Sequence, residues 1–416
     1  MRRLFLLPYL AAVARGATDP AHALVEQVRA ALGHPTTADG VAAAFVDDRF
    51  GYLRERADFE FAADGAASVR ATFRAGGPPL PRVPVVAVGA SAFNASALCA
   101  FLDVGAPYLE SGGVEGYVVL SLGSAAFGSP FHPAILRRLR ATCGRTAADL
   151  EALLLSPKLR RWFVSQHFPR ANVEAESGGP RRHPRGRAAG DPAVGDIAGY
   201  AAWVLHAKLV QTPLGAPRVF SRENEREAIW LALAADPPRR SDGVYVNFKP
   251  RDYRDAVLAA VAPGLGDRLG ANAYVGKARL KRNSPGDGRA YVAALFAHAF
   301  VLSPPGSGVD CYRHWEALLC GAIPIVEYSP LAVELLAGTP ALIVRDWADV
   351  DADLLATHLA WARSTTFDFR KLTTAYWRAE LARAGRAPNR PPAAAGAPDA
   401  ARRPTPRRRG HAPPGL

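Results

Sequence analysis

Phe300 to Val326 reads FVLSPPGSGVDCYRHWEALLCGAIPIV, and most of what the chain says about itself radiates from this run. It parses as an apolar strand (Phe300–Ser303), a Gly/Pro-rich loop (Pro304–Val309), an amphipathic helix expected from Asp310 to Gly321, and a second apolar strand (Ile323–Val326). A glycine loop that ends on a helix N-terminus can hold phosphate, because the first backbone amides of the helix are unpaired and its dipole favours an anion. Gly306 and Gly308 let the backbone approach a ligand with no Cβ in the way.

At 100° per residue the helix divides into arcs. Cys311, Trp315, Leu318 and Leu319 share one that would pack on a sheet, Trp315 as core. Asp310, Arg313 and Glu316 step by three along another. Asp310 suits the N-cap. Arg313 lies one turn in, within reach of an anion at the loop. Glu316 lies a further turn on, where a carboxylate can accept hydrogen bonds from ribose hydroxyls. Taken alone, such a stripe is what a solvated helix face looks like; the loop before it and the strands on both sides favour a binding role.

Outward from this core, strand and helix alternate from Asp242 to Trp361. Expected strands are Val244–Phe248, Ala273–Val275, Ile323–Val326 and Ala341–Val344. Expected helices are Asp252–Ala262, Gly288–His298, Pro330–Ala337, Asp349–Arg363 and Phe369–Ala384. The alternation predicts a parallel sheet with helices on both faces, in which ligands bind beyond the carboxyl ends of the strands. Asn247 and Lys249, just past a strand end, become secondary candidates for phosphate or sugar, Lys249 equally for a surface cation. The first half is less regular. Val85–Gly89, Phe93–Leu102 and Tyr117–Leu120 suggest another α/β layer, with helices at Pro133–Cys143 and Ala147–Leu155. The expected organisation is a leader at 1–17, an α/β domain over 18–238 with a flexible insert at 171–196, a second α/β domain over 239–385, and a disordered Pro/Arg-rich tail at 386–416.

Charge argues against a nucleic-acid partner. Of the net charge of +13, the tail holds six, Arg181, Arg182, Arg185 and Arg187 hold four, and the remainder is nearly neutral. No aromatic-interleaved basic motif accompanies it. The leader MRRLFLLPYLAAVARGA places two Arg before an apolar run from Leu4 to Ala14. That run is shorter than the ~20 residues of a membrane span. It suits a signal peptide with an Ala12-Val13-Ala14 cleavage site, or a buried N-terminal helix. Asn94-Ala95-Ser96 is a glycosylation sequon. None of Cys99, Cys143, Cys311 and Cys320 has metal-ligand spacing. Cys99 and Cys143 can bridge in a lumenal protein or stay as buried thiols. A metal is not expected: no D-x-D stands at a strand end, adjacent Asp47 and Asp48 lack a spacer, and the acids of Asp349–Asp353 open a helix, where the dipole favours them. No G-x-G-x-x-G with an acid ~20 residues later supports a dinucleotide-dependent dehydrogenase.

The run S-P-P-G-S-G-V-D-C-Y-R-H-W-E-A-L, followed by G-A-I-P-I-V, resembles the nucleotide-sugar site of exostosin-type glycosyltransferases, whose usual form is close to S-P-R-G-N-G-x-D-C-x-R-x-W-E-A-L. Ser303, Pro304, Gly306, Gly308, Asp310, Cys311, Arg313, Trp315, Glu316, Ala317 and Leu318 match; Pro305 and Ser307 stand where arginine and asparagine are common. Ser156–Phe163, SPKLRRWF, is similar to a first-domain element of the same family. The resemblance implies GT-B architecture: two Rossmann-like domains, with the sugar nucleotide held mainly by the second. It also implies inverting transfer, without an obligatory metal or other cofactor, from a UDP-linked sugar to a glycan or glycoprotein acceptor in the Golgi lumen or at its membrane, where the N-terminus can serve as a weak anchor.

On that reading Ser303, Gly306, Ser307, Gly308, Val309, Asp310, Arg313, Glu316, Asn247 and Lys249 bind the donor. The amides of Gly306–Val309 and the Arg313 guanidinium take the diphosphate. His132 and Asp103 are the first-domain candidates for the base that accepts the acceptor's proton. His132, a lone histidine before a proline-started helix, reads more often as structural than as catalytic, and His314 is unassigned. Tyr117–Ser124 departs from the family's polar T-H-N-S-D-like string: Leu122 and Ala125 replace its histidine and aspartate, and the P-I-G-type turn is absent. These departures support an alternative, a catalytically impaired protein of the same fold that binds nucleotide or glycan.

Overall fold

In the computed structural model, residues 21–37, 40, 44, 53, 56–64, 68–73, 81–90, 95–123, 133–165, 208–215, 229, 240–248, 252–270, 287–306 and 309–386 are described. The leader, the insert at 171–196, residues 387–416 of the tail, the strand expected at Ala273–Val275, and Asn94, Ala125, His132, Lys249, Ser307 and Gly308 lie outside them.

After helix α1 (Ala21–Ala31), the first half builds one sheet from β1 (Phe59–Asp64), β2 (Ser68–Phe73), β3 (Val85–Ala90), β4 (Tyr117–Gly123), β5 (Leu159–Ser165) and β6 (Leu209–Thr212). Their order is β2-β1-β3-β4-β5-β6. β1 and β2 form an antiparallel hairpin, and every other pairing is parallel. Between these strands lie α2 (Ser96–Ala100), α3 (Ala106–Ser111), α4 (Pro133–Cys143) and α5 (Ala147–Leu155). A π-helical turn, Phe101–Gly105, joins α2 to α3. Val86, Val88, Val118, Val119 and Leu120 are fully buried, as continuous apolar strands of a parallel sheet covered on both faces must be.

The second half repeats the plan. β7 (Ser241–Val246), α6 (Asp252–Leu265), α7 (Asp287–Ala297), β8 (His298–Leu302), α8 (Tyr312–Leu319), β9 (Ile323–Glu327), α9 (Pro330–Leu336), β10 (Leu342–Val344), α10 (Ala352–Ser364) and α11 (Thr374–Arg386) follow in turn. The sheet is wholly parallel in the order β10-β9-β8-β7. The molecule is thus mixed α/β with one mainly and one wholly parallel sheet, consistent with two Rossmann-like domains. Most expected elements fall within a few residues of their places. The helix expected at Asp349–Arg363 is a 3₁₀ turn, Trp347–Asp349, and then α10, capped by the Asp351 carboxylate on the Leu354 amide at 2.7 Å. The last helix is likewise preceded by its own 3₁₀ turn, Arg370–Leu372.

The chain ends cross between the two units. α1 belongs by sequence to the first half, yet its Gln27 side chain bonds Thr365 O (3.2 Å) and the Phe367 amide (2.7 Å). It also lies against the end of α8. A Cβ on Gly321 would sit 2.8 Å from Val25 Cγ2, and Gly321 has φ +68°. The Gly321 amide bonds Leu318 O and the Ala322 amide bonds Ala317 O, the paired bonds of a glycine-terminated helix. At the other end α11 packs on β4 and β5, with Arg160 Nη1 donating to Gly385 O.

Cys99 and Cys143 form a disulfide with Cα atoms 6.0 Å apart, tying α2 to the end of α4. Beside it Asp103 pairs with Arg145 at 2.8 Å, and Arg145 reaches Asp149 at 3.0 Å. In the chain-entropy account, closing a loop of this size stabilises the first unit by about 4 kcal/mol. The double variant Cys99→Ser/Cys143→Ser is therefore expected to lower the urea midpoint of the first unit by a corresponding amount under non-reducing conditions. An unchanged midpoint would show that the bridge does not constrain the unfolded chain.

Candidate functional site

The carboxyl ends of β7 and β8 lie side by side, because the two strands are parallel neighbours. β7 runs out into Asn247 and Phe248, and β8 into Ser303–Gly306. Ser303 still belongs to the sheet, its amide bonding Ile325 O at 2.9 Å. α8 then returns from the loop toward β9.

The expected start of α8 needs correction. Asp310 is not its N-cap; Cys311 is, with extended backbone (φ −141°, ψ 151°) and no side-chain cap, and the helix begins at Tyr312. The cause is that the Asp310 carboxylate is already engaged. It is 2% exposed and accepts from the Leu214 amide and from Trp315 Nε1, each at 2.7 Å. Leu214 follows β6, so this one side chain joins the first sheet's exit to the second sheet's loop. The charged arc is not a solvated face either. Arg313, His314 and Glu316 are all buried, as are Trp315 and Leu318 opposite; Trp315 is core, as expected.

Arg313 donates from Nε to Asn247 O at 3.0 Å, and its Cζ lies 5.6 Å from the centroid of the Phe248 ring. Its Nη1 and the Oδ1 of Asn247 are buried with no hydrogen-bond partner among the described residues. Arg254, on the first turn of α6, approaches the same ring to 5.8 Å and donates to Pro305 O at 3.1 Å. A Cβ on Gly306 would come within 3.3 Å of Arg254 Nη2. Two guanidiniums thus meet at one aromatic ring beside the glycine loop, a geometry that desolvates and fixes both cations.

Of the residues picked from the sequence, Asn247, Ser303, Gly306 and Arg313 come together here. Val309 is buried in the apolar core. Glu316 is fully buried and accepts a hydrogen bond from the Tyr291 hydroxyl. Asp103 stands in the first unit, engaged by Arg145. His132, Lys249, Ser307 and Gly308 fall outside the described residues. Sequence reasoning missed Arg254 and Phe248. The signal was three cations within six residues after a strand end, Lys249, Arg251 and Arg254; only the helix starting at Asp252 singles out the last. It also missed the cluster at the end of β9, where Tyr253 donates to Glu327 Oε2 at 2.5 Å and Trp347 Nε1 donates to the Tyr253 hydroxyl at 3.0 Å.

Cys311 and His314 are coupled. His314 Nδ1 lies 3.6 Å from Asp310 Oδ1 and Nε2 lies 3.2 Å from Ser303 O. Burial alone would lower the imidazole, but the Cys311 thiolate and the Asp310 carboxylate outweigh it and hold its pKa at about 10. Burial alone would raise the Cys311 thiol, but the His314 cation, with Arg313 and the Ser303 hydroxyl, brings it to about 6. Each group therefore favours the charged form of the other. Among the described residues no three His, Cys, Asp or Glu side chains gather as a metal site. Neither a protein-family model nor a curated protein sequence matches this chain.

Two outcomes follow. Asp310→Asn keeps the shape but turns a donor toward an N–H, and is expected to cost about 3 kcal/mol or more through lost charged hydrogen bonds; an unchanged Tm would remove Asp310 from the joint. The Cys311–His314 pair also sets a pH profile. Between about pH 6.5 and 9 the folded and unfolded pairs each hold one proton, so stability is level. Below about pH 6.5 the unfolded pair takes a second proton and stability falls until the folded thiolate protonates near 6. Above about pH 9 the unfolded pair loses its proton and stability falls until the folded imidazolium deprotonates near 10. Urea titrations of wild type against Cys311→Ser isolate this contribution; identical profiles would dissolve the pair.

Proposed function

We propose that the loop after β8 holds the diphosphate of a UDP-linked sugar, and that the chain is an inverting glycosyltransferase of exostosin-like, GT-B type acting on a glycan or glycoprotein acceptor. One observation carries this reading: Arg254 and Arg313 meet at Phe248 beside a glycine loop at the carboxyl ends of a parallel sheet, and a buried Arg313 donor there lacks a protein partner among the described residues. Buried, charge-assisted guanidinium donors suit phosphate oxygens. In the transfer the acceptor hydroxyl attacks the anomeric carbon as its bond to the diphosphate breaks. Arg254 and Arg313 stabilise the charge that collects on the leaving diphosphate. The Cys99–Cys143 bridge supports residence in an oxidising compartment, as the secretory pathway is.

A second reading, a catalytically impaired binding protein of the same architecture, is favoured by Asp103, whose carboxylate is engaged by Arg145 and so poorly placed to act as a base. Thermal-shift titration with UDP, GDP, CMP, ADP and NAD tests both. A rise selective for UDP or GDP is expected. Arg313→Ala and Arg254→Ala are each expected to weaken UDP by about 10–100-fold, the worth of a charged hydrogen bond, and to spare uridine; equal losses for both ligands would make these arginines structural. Binding without turnover of any sugar nucleotide selects the second reading.

A further inference from the structure

The proposed transfer uses no sulfur, yet one of the four cysteines is set apart. Cys99 and Cys143 are bridged. Cys320 is fully buried, and that burial pushes its thiol up. Cys311 is mostly buried but not sealed off, stands at the N-cap of α8, and has its Sγ 3.6 Å from Ser303 Oγ and 3.9 Å from Pro304 O. His314 and Arg313 stand beside it. His314 is held between Asp310 and Ser303 O, so it acts as a fixed cation beside the sulfur and is not free to shuttle protons as a hydrolase base would. A fixed cation and a helix N-terminus both favour thiolate. Independently, the buried Nη1 of Arg313 has no hydrogen-bond partner among the described residues, which points to an anionic ligand at Phe248, and Gly306 links that place to Cys311, since a Cβ there would lie 3.3 Å from Arg254 Nη2 and 3.8 Å from Cys311 Cβ.

We propose that Cys311 is a modification site for small anionic disulfides of the oxidised-glutathione class, and that the mixed disulfide closes the anion-binding loop. The Cys311 thiolate attacks one sulfur of the disulfide. A new Sγ–S bond forms, the old S–S bond breaks, and one glutathione thiolate leaves, so Cys311 is oxidised as the small disulfide is reduced. The guanidiniums of Arg254 and Arg313 select for negative charge on the incoming molecule. The attached group then lies against Ser303, Pro304 and Gly306, where a ligand's phosphates would lie. This last step rests on the nucleotide reading; the thiol chemistry does not.

Full-length protein incubated with oxidised glutathione at pH 7 is expected to gain one glutathionyl group. Peptide mapping should place it on Cys311, and Cys311→Ser should gain none. Cationic cystamine should react several-fold more slowly; equal rates would overturn the selection for anions. Wild-type alkylation by iodoacetamide supplies a test that needs no variant to fold. An ordinary thiol speeds up about tenfold per pH unit below its pKa, whereas Cys311 is expected to change less than about twofold from pH 6.5 to 7.5. A tenfold rise, or modification elsewhere, overturns the thiol site. UDP shifts should vanish in the modified protein. Equal UDP shifts before and after modification would overturn the closing of the loop, whereas a reactive Cys311 in a protein that never binds UDP would sink the nucleotide reading and leave the thiol site standing.

Discussion

A buried carboxylate has to be surrounded by donors, and Asp310 is where that requirement organises the molecule. Its two oxygens take the Leu214 amide and the Trp315 indole. Each of those groups would be costly to bury unpaired. Leu214 leaves the first sheet and Trp315 is the fully buried centre of α8. One residue therefore joins the two sheets and sets the position of the helix that follows the loop.

The rest of the site depends on that placement. With Trp315 held, Arg313 is carried to the carboxyl end of β7, where it reaches Asn247 O and Phe248. His314 is carried to Ser303 O, at the end of β8. The negative charge of Asp310 helps to keep His314 protonated, and His314 in turn keeps Cys311 ionised. Asp310 thus fixes two side chains beside the loop, Arg313 and His314.

Much of this architecture was legible in the sequence. Short apolar runs such as FVL and IPIV, bounded by Gly and Pro and rich in β-branched residues, read as buried strands, and Gly321 marks the helix end because its φ is positive. The functions of individual charged residues were less legible, and the reason is physical. A period of three placed Asp310, Arg313 and Glu316 on one arc; Arg313 and Glu316 do lie on α8, whereas Asp310 precedes it across the extended Cys311. It could not say that the arc faces protein rather than solvent, because the covering groups, Leu214 and Tyr291, are distant in sequence. Arg254 was hidden for a similar reason: which of three nearby cations reaches the loop depends on where α6 starts. The crossing of α1 and α11 between the units leaves no local pattern at all, since an amphipathic helix does not record which sheet it covers. The disulfide was readable only as one of two states, because pairing depends on Cα separation in the fold.

The two motifs that resembled one family do opposite work. The loop and α8 lie at the carboxyl ends of their sheet, where a parallel sheet presents ligands. SPKLRRWF enters its strand from the other end. Lys158 Nζ donates to the carbonyls of Leu109, Glu110 and Gly112, closing the C-terminus of α3, where a cation opposes the exposed carbonyls and the helix dipole. Trp162 is fully buried and donates to Ser121 Oγ at 2.7 Å. This element shapes the first sheet. The carboxyl ends of the first sheet lie on the opposite side, after β3, β4, β5 and β6. There Ser165 closes β5 with a buried hydroxyl that has no hydrogen-bond partner among the described residues. The likeness in the first half therefore bears on scaffold, and any chemistry there has to be sought where that likeness stops.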